Sequence, residues 1–177
     1  MNDPARLFIG IALSADARAQ IGAAVDDIDA EMGSYEPHLY HLTLCFLGMT
    51  PRARMDELRG IIAALPFAPF AAALGDWGTF KEGTILWLGI KKPCEPLITL
   101  QGTLAQRLRT AGFAAEDRAY TPHITVARKV KQIHRLPAPP VGEILVGKVT
   151  LFESAQVEGR LAYLPIPLQP HGASVAK

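Results

Sequence analysis

The chain has 177 residues, 49% of them hydrophobic and 20% charged. That suits one globular domain or two small lobes sharing a core, and it excludes a disordered chain. A formal net charge of +1 excludes a broad nucleic-acid coat, so a nucleic-acid partner would be gripped locally. Two cysteines, Cys45 and Cys94, make no disulfide framework and are expected to be reduced thiols.

In chain order, Arg6 to Leu13 reads as a strand. Its apolar run is too short for a secretory core, and no stretch approaches the length of a membrane span, so the cytoplasm is the expected compartment. Ser14 caps a helix expected over Ala15 to Met32, striped by Ile21, Val25, Ile28 and Met32 and stopped by Gly33-Ser34. Leu39 to Leu47 reads as a strand ended by Gly48. Thr50 and Pro51 read as the cap and first position of a second helix, which carries Met55, Leu58, Ile61, Ile62 and Leu65 and closes at Pro66. Strands come next over Phe67 to Leu74 and Thr84 to Ile90, with Gly75-Asp76-Trp77-Gly78 and Lys81-Glu82-Gly83 as turns between them. A third helix runs from Leu97 to Ala111, striped by Leu97, Leu100, Leu104 and Leu108, and stops at Gly112. Another strand begins at His123 and ends near Val130. The proline-rich stretch from Ile133 to Gly142 reads as a loop. Late strands over Gly142 to Glu153 and Leu161 to Leu168 meet at a turn near Glu158-Gly159, and the tail from Pro170 is expected to be mobile. Helices and strands mix without strict alternation, so the fold class is α+β rather than a doubly wound parallel sheet.

Two of these strands carry one pattern. His41-Leu42-Thr43-Leu44-Cys45-Phe46 recurs as His123-Ile124-Thr125-Val126-Ala127-Arg128. Period-two alternation puts Leu42, Leu44, Ile124 and Val126 on a core face, and His41, Thr43, His123 and Thr125 on the other. A single His-x-Thr is a weak sign and fits a buried histidine satisfied by its neighbour. Two copies with matched flanks are much harder to assign to packing alone. Facing each other, they would form a cleft with two imidazoles and two hydroxyls. One imidazole could take a proton while the other gives one, since an ordinary histidine pKa of about 6.5 makes both states accessible. The hydroxyls could donate to phosphate oxygens, and Arg128 offers a guanidinium fork. No cofactor is expected. A metal site from His38, His41 and His123 is disfavoured by their strand parity and the absence of a carboxylate at ligand spacing. Cys45 shares the histidine face by parity, but no orienting partner marks it as a nucleophile, so it reads as a small filler. The basic run Arg128-Lys129-Val130-Lys131, with His134 and Arg135, reads equally well as a solvated loop or a guide for an RNA backbone. Trp77, Phe80 and Trp87 read as packing residues, and His38, His134 and His171 as surface or structural ones.

At these residues the chain resembles the 2H phosphoesterase superfamily, and within it the bacterial RNA 2′,3′-cyclic phosphodiesterases, also called 2′-5′ RNA ligases. The segments Arg6 to Ile11, His41 to Gly48, Ile85 to Gly89, Thr121 to Lys129 and Leu151 to Ser154 carry the likeness. Tyr40 departs from the pattern where relatives often carry Asn-Leu before the histidine. The resemblance implies one bilobal domain over residues 1–168, with two related lobes of antiparallel sheet around a cleft and helices outside. It implies metal-free hydrolysis of RNA 2′,3′-cyclic phosphate ends to 2′-phosphates, leaving room for a reversible 2′-5′ ligase reaction. It assigns His41 as proton donor and His123 as proton acceptor, Thr43 and Thr125 as phosphate ligands, Phe46 as a base-stacking residue and Arg128 as a phosphate contact. Strand parity opposes the last two, because a regular strand turns Phe46 and Arg128 away from the cleft. The expected partners are RNA ends or short oligonucleotides; no membrane and no obligate protein partner is expected, and the chain should be a monomer. The alternative is a nucleotide- or RNA-end-binding module on the same fold without turnover.

Overall fold

The structure, a computed structural model, describes residues 3–115 and 119–168. Strand β1 (Pro4–Ala12) leads into helix α1 (Ala15–Asp26), a short strand β2 (Asp29–Glu31) and a 3-10 turn at Pro37–Leu39. Strand β3 (His41–Pro51), a 3-10 turn at Arg52–Arg54 and helix α2 (Met55–Ala63) come next. The chain continues through β4 (Phe70–Phe80), β5 (Ile85–Ile90), α3 (Glu95–Thr110), β6 (His123–Arg128), β7 (Gln132–Arg135), β8 (Glu143–Val146), β9 (Thr150–Val157) and β10 (Arg160–Ile166).

Eight strands form one sheet in the order β10-β9-β1-β3-β6-β5-β4-β8, and β2 pairs with β7 separately. Every neighbour in the large sheet is antiparallel, so the fold is α+β as the element pattern requires. The sheet divides into two four-strand halves. They meet at β3 and β6, where the register is a single pair, Leu42 against Ile124. Behind the joint, Leu42, Leu44, Ile124 and Val126 share one hydrophobic cluster with the α3 stripe of Leu97, Leu100, Leu104 and Leu108. Burial of that stripe on α3 and of both strands' inward faces is the main stabilising contribution here, at about 1.5–3 kcal/mol for each large aliphatic side chain.

Several local expectations change in the structure. Ser14 caps α1 as predicted, accepting from Ala17 N–H at 3.1 Å, but the helix ends at Asp26 rather than Met32. Asp26, Asp27 and Asp29 crowd negative charge at a helix C-terminus that is already the negative end of the dipole. The chain instead turns into β2, whose partner β7 is strand where a loop was expected. Strand β3 runs past Gly48, which adopts φ +67°, because Pro4 to Leu7 of β1 pair with Pro51 back to Gly48. Thr50 is therefore inside the strand, with its hydroxyl on Gly48 O at 3.4 Å, and α2 starts at Met55 without a side-chain cap. Gly75 to Gly78 is not a turn: β4 passes straight through it, with one bulge between Leu74 and Trp77. Gly78 is needed for contact, since a Cβ there would lie 2.2 Å from the Trp87 ring. The expected strand Gly142 to Glu153 is split into β8 and β9, which pair with β4 and β1 in opposite halves of the sheet. α3 begins two residues earlier than expected, with Pro96 in its first turn where the missing N–H costs nothing. The tail from Pro170 lies outside the described residues.

Candidate active site

The single β3–β6 register pair fixes the site. With Leu42 opposite Ile124 in an antiparallel pair, His41 stands across from Thr125 and Thr43 across from His123, all on the face away from the core. Each imidazole thus has the other motif's hydroxyl as its cross-strand neighbour.

Past the threonines both strands break the simple alternation, and at the same motif position. Against β1, Cys45 pairs with Ile9 and Thr43 with Gly10, so Leu44 has no partner. Against β5, Ala127 pairs with Leu86 and Thr125 with Trp87, so Val126 has none. Each is a β-bulge, which adds one residue and reverses the parity of every residue beyond it. Cys45 and Ala127 consequently pack into the core with Leu44 and Val126. Cys45 is buried in the core cluster and at the same time borders the cavity that holds Thr43 and His123. Phe46 and Arg128 return to the histidine face. Phe46, 42% exposed, lines a cavity with Thr43, Phe80, Gln101, Tyr120 and His123. Arg128 lines a second depression with His41, Thr125 and Tyr163. The conflict between parity and resemblance thus disappears. The backbone of Arg128 is held in place by paired bonds with Ser34, Arg128 N–H to Ser34 O at 2.9 Å and Ser34 N–H to Arg128 O at 3.1 Å.

The two histidines are oriented alike. His41 Nδ1 lies 2.7 Å from Leu39 O, and His123 Nδ1 lies 2.7 Å from Thr121 O. A carbonyl only accepts, so each Nδ1 carries the proton and donates. With Nδ1 so engaged, Nε2 is the remaining ring nitrogen of each imidazole. His41 Nε2 meets Thr43 Oγ1 at 2.9 Å. Each ring also has an aromatic wall. Phe8 packs on His41 with centroids 4.7 Å apart, and Tyr163 meets it edge-on at 4.9 Å. Phe80 meets His123 edge-on at 4.8 Å, and Trp87 lies at 5.9 Å.

Burial pulls the His41 pKa down to about 4, because the charged ring loses hydration. The positive fields of Arg128 and His123 act in the same direction, and the Leu39 carbonyl opposes them. His41 is therefore neutral in the free protein at pH 7.

Sequence reasoning missed the aromatic walls. Phe80 and Trp87, read as packing residues, pack on a site histidine, while Phe8 and Phe152, within segments that carry the likeness, and Tyr163, outside them, had no role assigned. A usable signal lay in β1, which is apolar on both faces from Leu7 to Ile11, as only a strand covered on both sides can be. His38 stays outside the site, 3.4 Å from Glu36. Among the described residues no group of three or more His, Cys, Asp or Glu is arranged to hold a metal ion. His171 lies outside the described residues.

Paired His-x-Thr strands at the centre of an antiparallel sheet, with His123 and Thr43 lining one depression and His41 and Thr125 the other, give the chain the two-histidine arrangement of a phosphoesterase on an α+β fold. The family model described as the 2′-5′ RNA ligase superfamily matches residues 16–154, and the chain belongs to that superfamily. It is 29% identical to the RNA 2′,3′-cyclic phosphodiesterase of Escherichia coli over 94% of this chain and 96% of the relative. It is 32% identical to the enzyme of that name from Thermus thermophilus, over 80% of this chain and 75% of the relative. Among solved structures, E. coli LigT complexed with 3′-AMP superposes with a TM-score of 0.83 at 27% identity, covering 93% of this chain and 97% of the other.

Proposed function

We propose that this chain is an RNA 2′,3′-cyclic phosphodiesterase that uses its two histidines as acid and base. The observation that carries the reading is the matched tethering, on adjacent strands joined at Leu42 and Ile124, of both Nδ1 atoms to carbonyls, which leaves Nε2 as the remaining nitrogen of each ring. In the proposed reaction His123 Nε2 accepts a proton from water as its oxygen attacks phosphorus. The bond from phosphorus to O3′ breaks, and His41 Nε2–H protonates O3′. The product is a 2′-phosphate with a free 3′-hydroxyl, and the proton balance between the two rings is restored through solvent. Thr43, Thr125 and Arg128 would hold the non-bridging oxygens, where donors gain strength as charge builds up. Phe46 would stack on the base. No step needs a metal ion.

The low pKa of His41 gives this scheme a condition. His41 must acquire its proton together with the substrate, whose phosphate brings a negative charge beside Arg128 and both rings. The anion offsets the burial penalty and the positive fields that hold the free ring neutral.

We further infer RNA ends or short oligonucleotides as partners, a monomeric state and a cytoplasmic setting. No helix among the described residues is long and apolar enough to cross a membrane.

The direct test is hydrolysis of a 2′,3′-cyclic nucleotide with identification of the product isomer. A 2′-phosphate supports the reading, while tight binding without turnover would leave a nucleotide-end-binding module. The acid and base separate on a phosphodiester with a p-nitrophenolate leaving group, which needs no protonation. His41→Ala should recover most of its activity on that substrate and His123→Ala should not. The reverse pattern exchanges the roles.

A further inference from the structure

The joint between β3 and β6 is almost bare of backbone pairing, with Leu42 and Ile124 its single register pair. No second register pair joins the two strands, so facing carbonyls along the joint need other donors. Two tyrosines supply them reciprocally. Tyr40, in the residue before β3, sends its hydroxyl across to Val126 O of β6 at 3.3 Å. Tyr120, in the segment before β6, sends its hydroxyl across to Thr43 O of β3 at 2.8 Å. Each phenol starts beside one histidine and ends on the strand of the other. Tyr40 adjoins His41 in sequence and reaches the bulge residue next to Thr125. Tyr120 lies three residues before His123 and reaches the carbonyl of the threonine that contacts His41. Tyr40 is buried, at 4% exposure, and burial pushes both phenols up, so both remain protonated donors. A third side chain serves the same end of the joint: Gln101 Nε2 donates to the bulge carbonyl Leu44 O at 3.4 Å.

We propose that Tyr40 and Tyr120 are positioning residues, crossbars that replace absent rungs of the β3–β6 ladder and set the separation of the two imidazoles. This rests on the two-histidine reading of the site. Neither tyrosine is asked to touch the reacting atoms. Their effect is on geometry, to which a two-point proton transfer is acutely sensitive. They keep the joint from opening, while the single Leu42–Ile124 pair keeps it from sliding.

The test uses the full chain with Tyr40→Phe, Tyr120→Phe and the double variant, which keep the rings and remove only the hydroxyls. Turnover of 2′,3′-cyclic AMP should fall roughly tenfold in kcat for Tyr120→Phe and about threefold for Tyr40→Phe, with KM changed less than twofold. A merely structural role predicts a loss of folded fraction at unchanged kcat per folded molecule. A second readout needs no turnover: the His41 ring-proton resonance followed against pH. Loosening the joint admits water, so the His41 midpoint should rise from about 4 toward 6.5 in Tyr120→Phe. An unchanged midpoint with unchanged kcat in folded protein overturns the proposal. If wild type shows no turnover, the functional reading fails on its own, while the titration still decides whether the crossbars hold the site. Should Tyr120→Phe not fold, Tyr40→Phe, which loses the longer bond, carries both measurements.

Discussion

At the scale of single residues, the site depends on where protons sit. His41 has a folded-state pKa of about 4, below its ordinary value of 6.5. Between those values the unfolded chain binds the proton and the folded one does not, so stability rises with pH across that window. From this group the protein should lose on the order of 2 kcal/mol as pH falls from about 6.5 to about 4. Urea unfolding of wild type and His41→Gln across that range measures the difference; equal slopes would refute the depressed pKa. Saturation with inorganic phosphate should raise the His41 midpoint in an NMR titration by a unit or more, since the anion favours the charged ring. The same logic applies to Arg128. Removing its guanidinium relieves His41 of one positive field but deletes the phosphate contact proposed above. Arg128→Ala should cut kcat/KM roughly tenfold or more, reduce the salt dependence of binding by about one unit of slope, and nudge the His41 midpoint upward. Unchanged kinetics and slope together would show that phosphate is held by the threonines and backbone alone.

At the scale of strands and turns, the decisive features are two bulges. The four His and Thr positions were legible because they precede the bulges, where side chains alternate one residue per pleat. Phe46 and Arg128 were illegible from parity because the alternation rule has no term for an unpaired Leu44 or Val126. A bulge is a property of two strands in register, and that register is not written locally. Glycine misled for a related reason. Gly48 reads as a stop, and Gly75 and Gly78 as a turn, yet all three lie within strands, and Gly78 serves to let an indole approach. Gly10 makes the same point next to the joint: a Cβ there would lie 2.7 Å from Leu42 O. That oxygen is backbone and belongs to the one residue that registers β3 on β6. Gly10→Ala should therefore destabilise the fold by about 1–3 kcal/mol and lower kcat in the molecules that remain folded. Wild-type stability in urea would show that the sheet absorbs the methyl group without strain.

At the scale of the molecule, charge and shape set what the enzyme can hold. A net charge of +1 leaves few phosphate contacts beyond the cleft. A dinucleotide with a cyclic end should be turned over about as well as a long RNA, with a salt slope reflecting on the order of one to three contacts. Activity should survive EDTA. Loss on chelation with recovery by a divalent ion would replace the two-histidine scheme with a metal-dependent one. The fold class and the three helices could be read from spacing. The sheet order could not, because it joins strands from opposite ends of the chain. The wall of His41 shows this most clearly: Phe152 stacks on Phe8 at 4.9 Å and Tyr163 reaches the imidazole, and both lie over a hundred residues beyond the histidine they enclose.

That interleaving sets an order in time. The half of the sheet that carries His123 (β6, β5, β4 and β8) comes from one unbroken stretch, Phe70 to Val146. The half that carries His41 begins with β1 and β3 and is finished only by β9 and β10, the last strands in chain order among the described residues. A nascent chain that has emerged as far as Val146 already contains both motifs. Its β1 still has an open edge where β9 will pair, an edge prone to wrong partners, and His41 still lacks Phe152 and Tyr163. Until β9 pairs with β1 and β10 with β9, the ring of His41 lacks the wall that Phe152 and Tyr163 give it, so the C-terminal hairpin completes the surroundings of an N-terminal histidine.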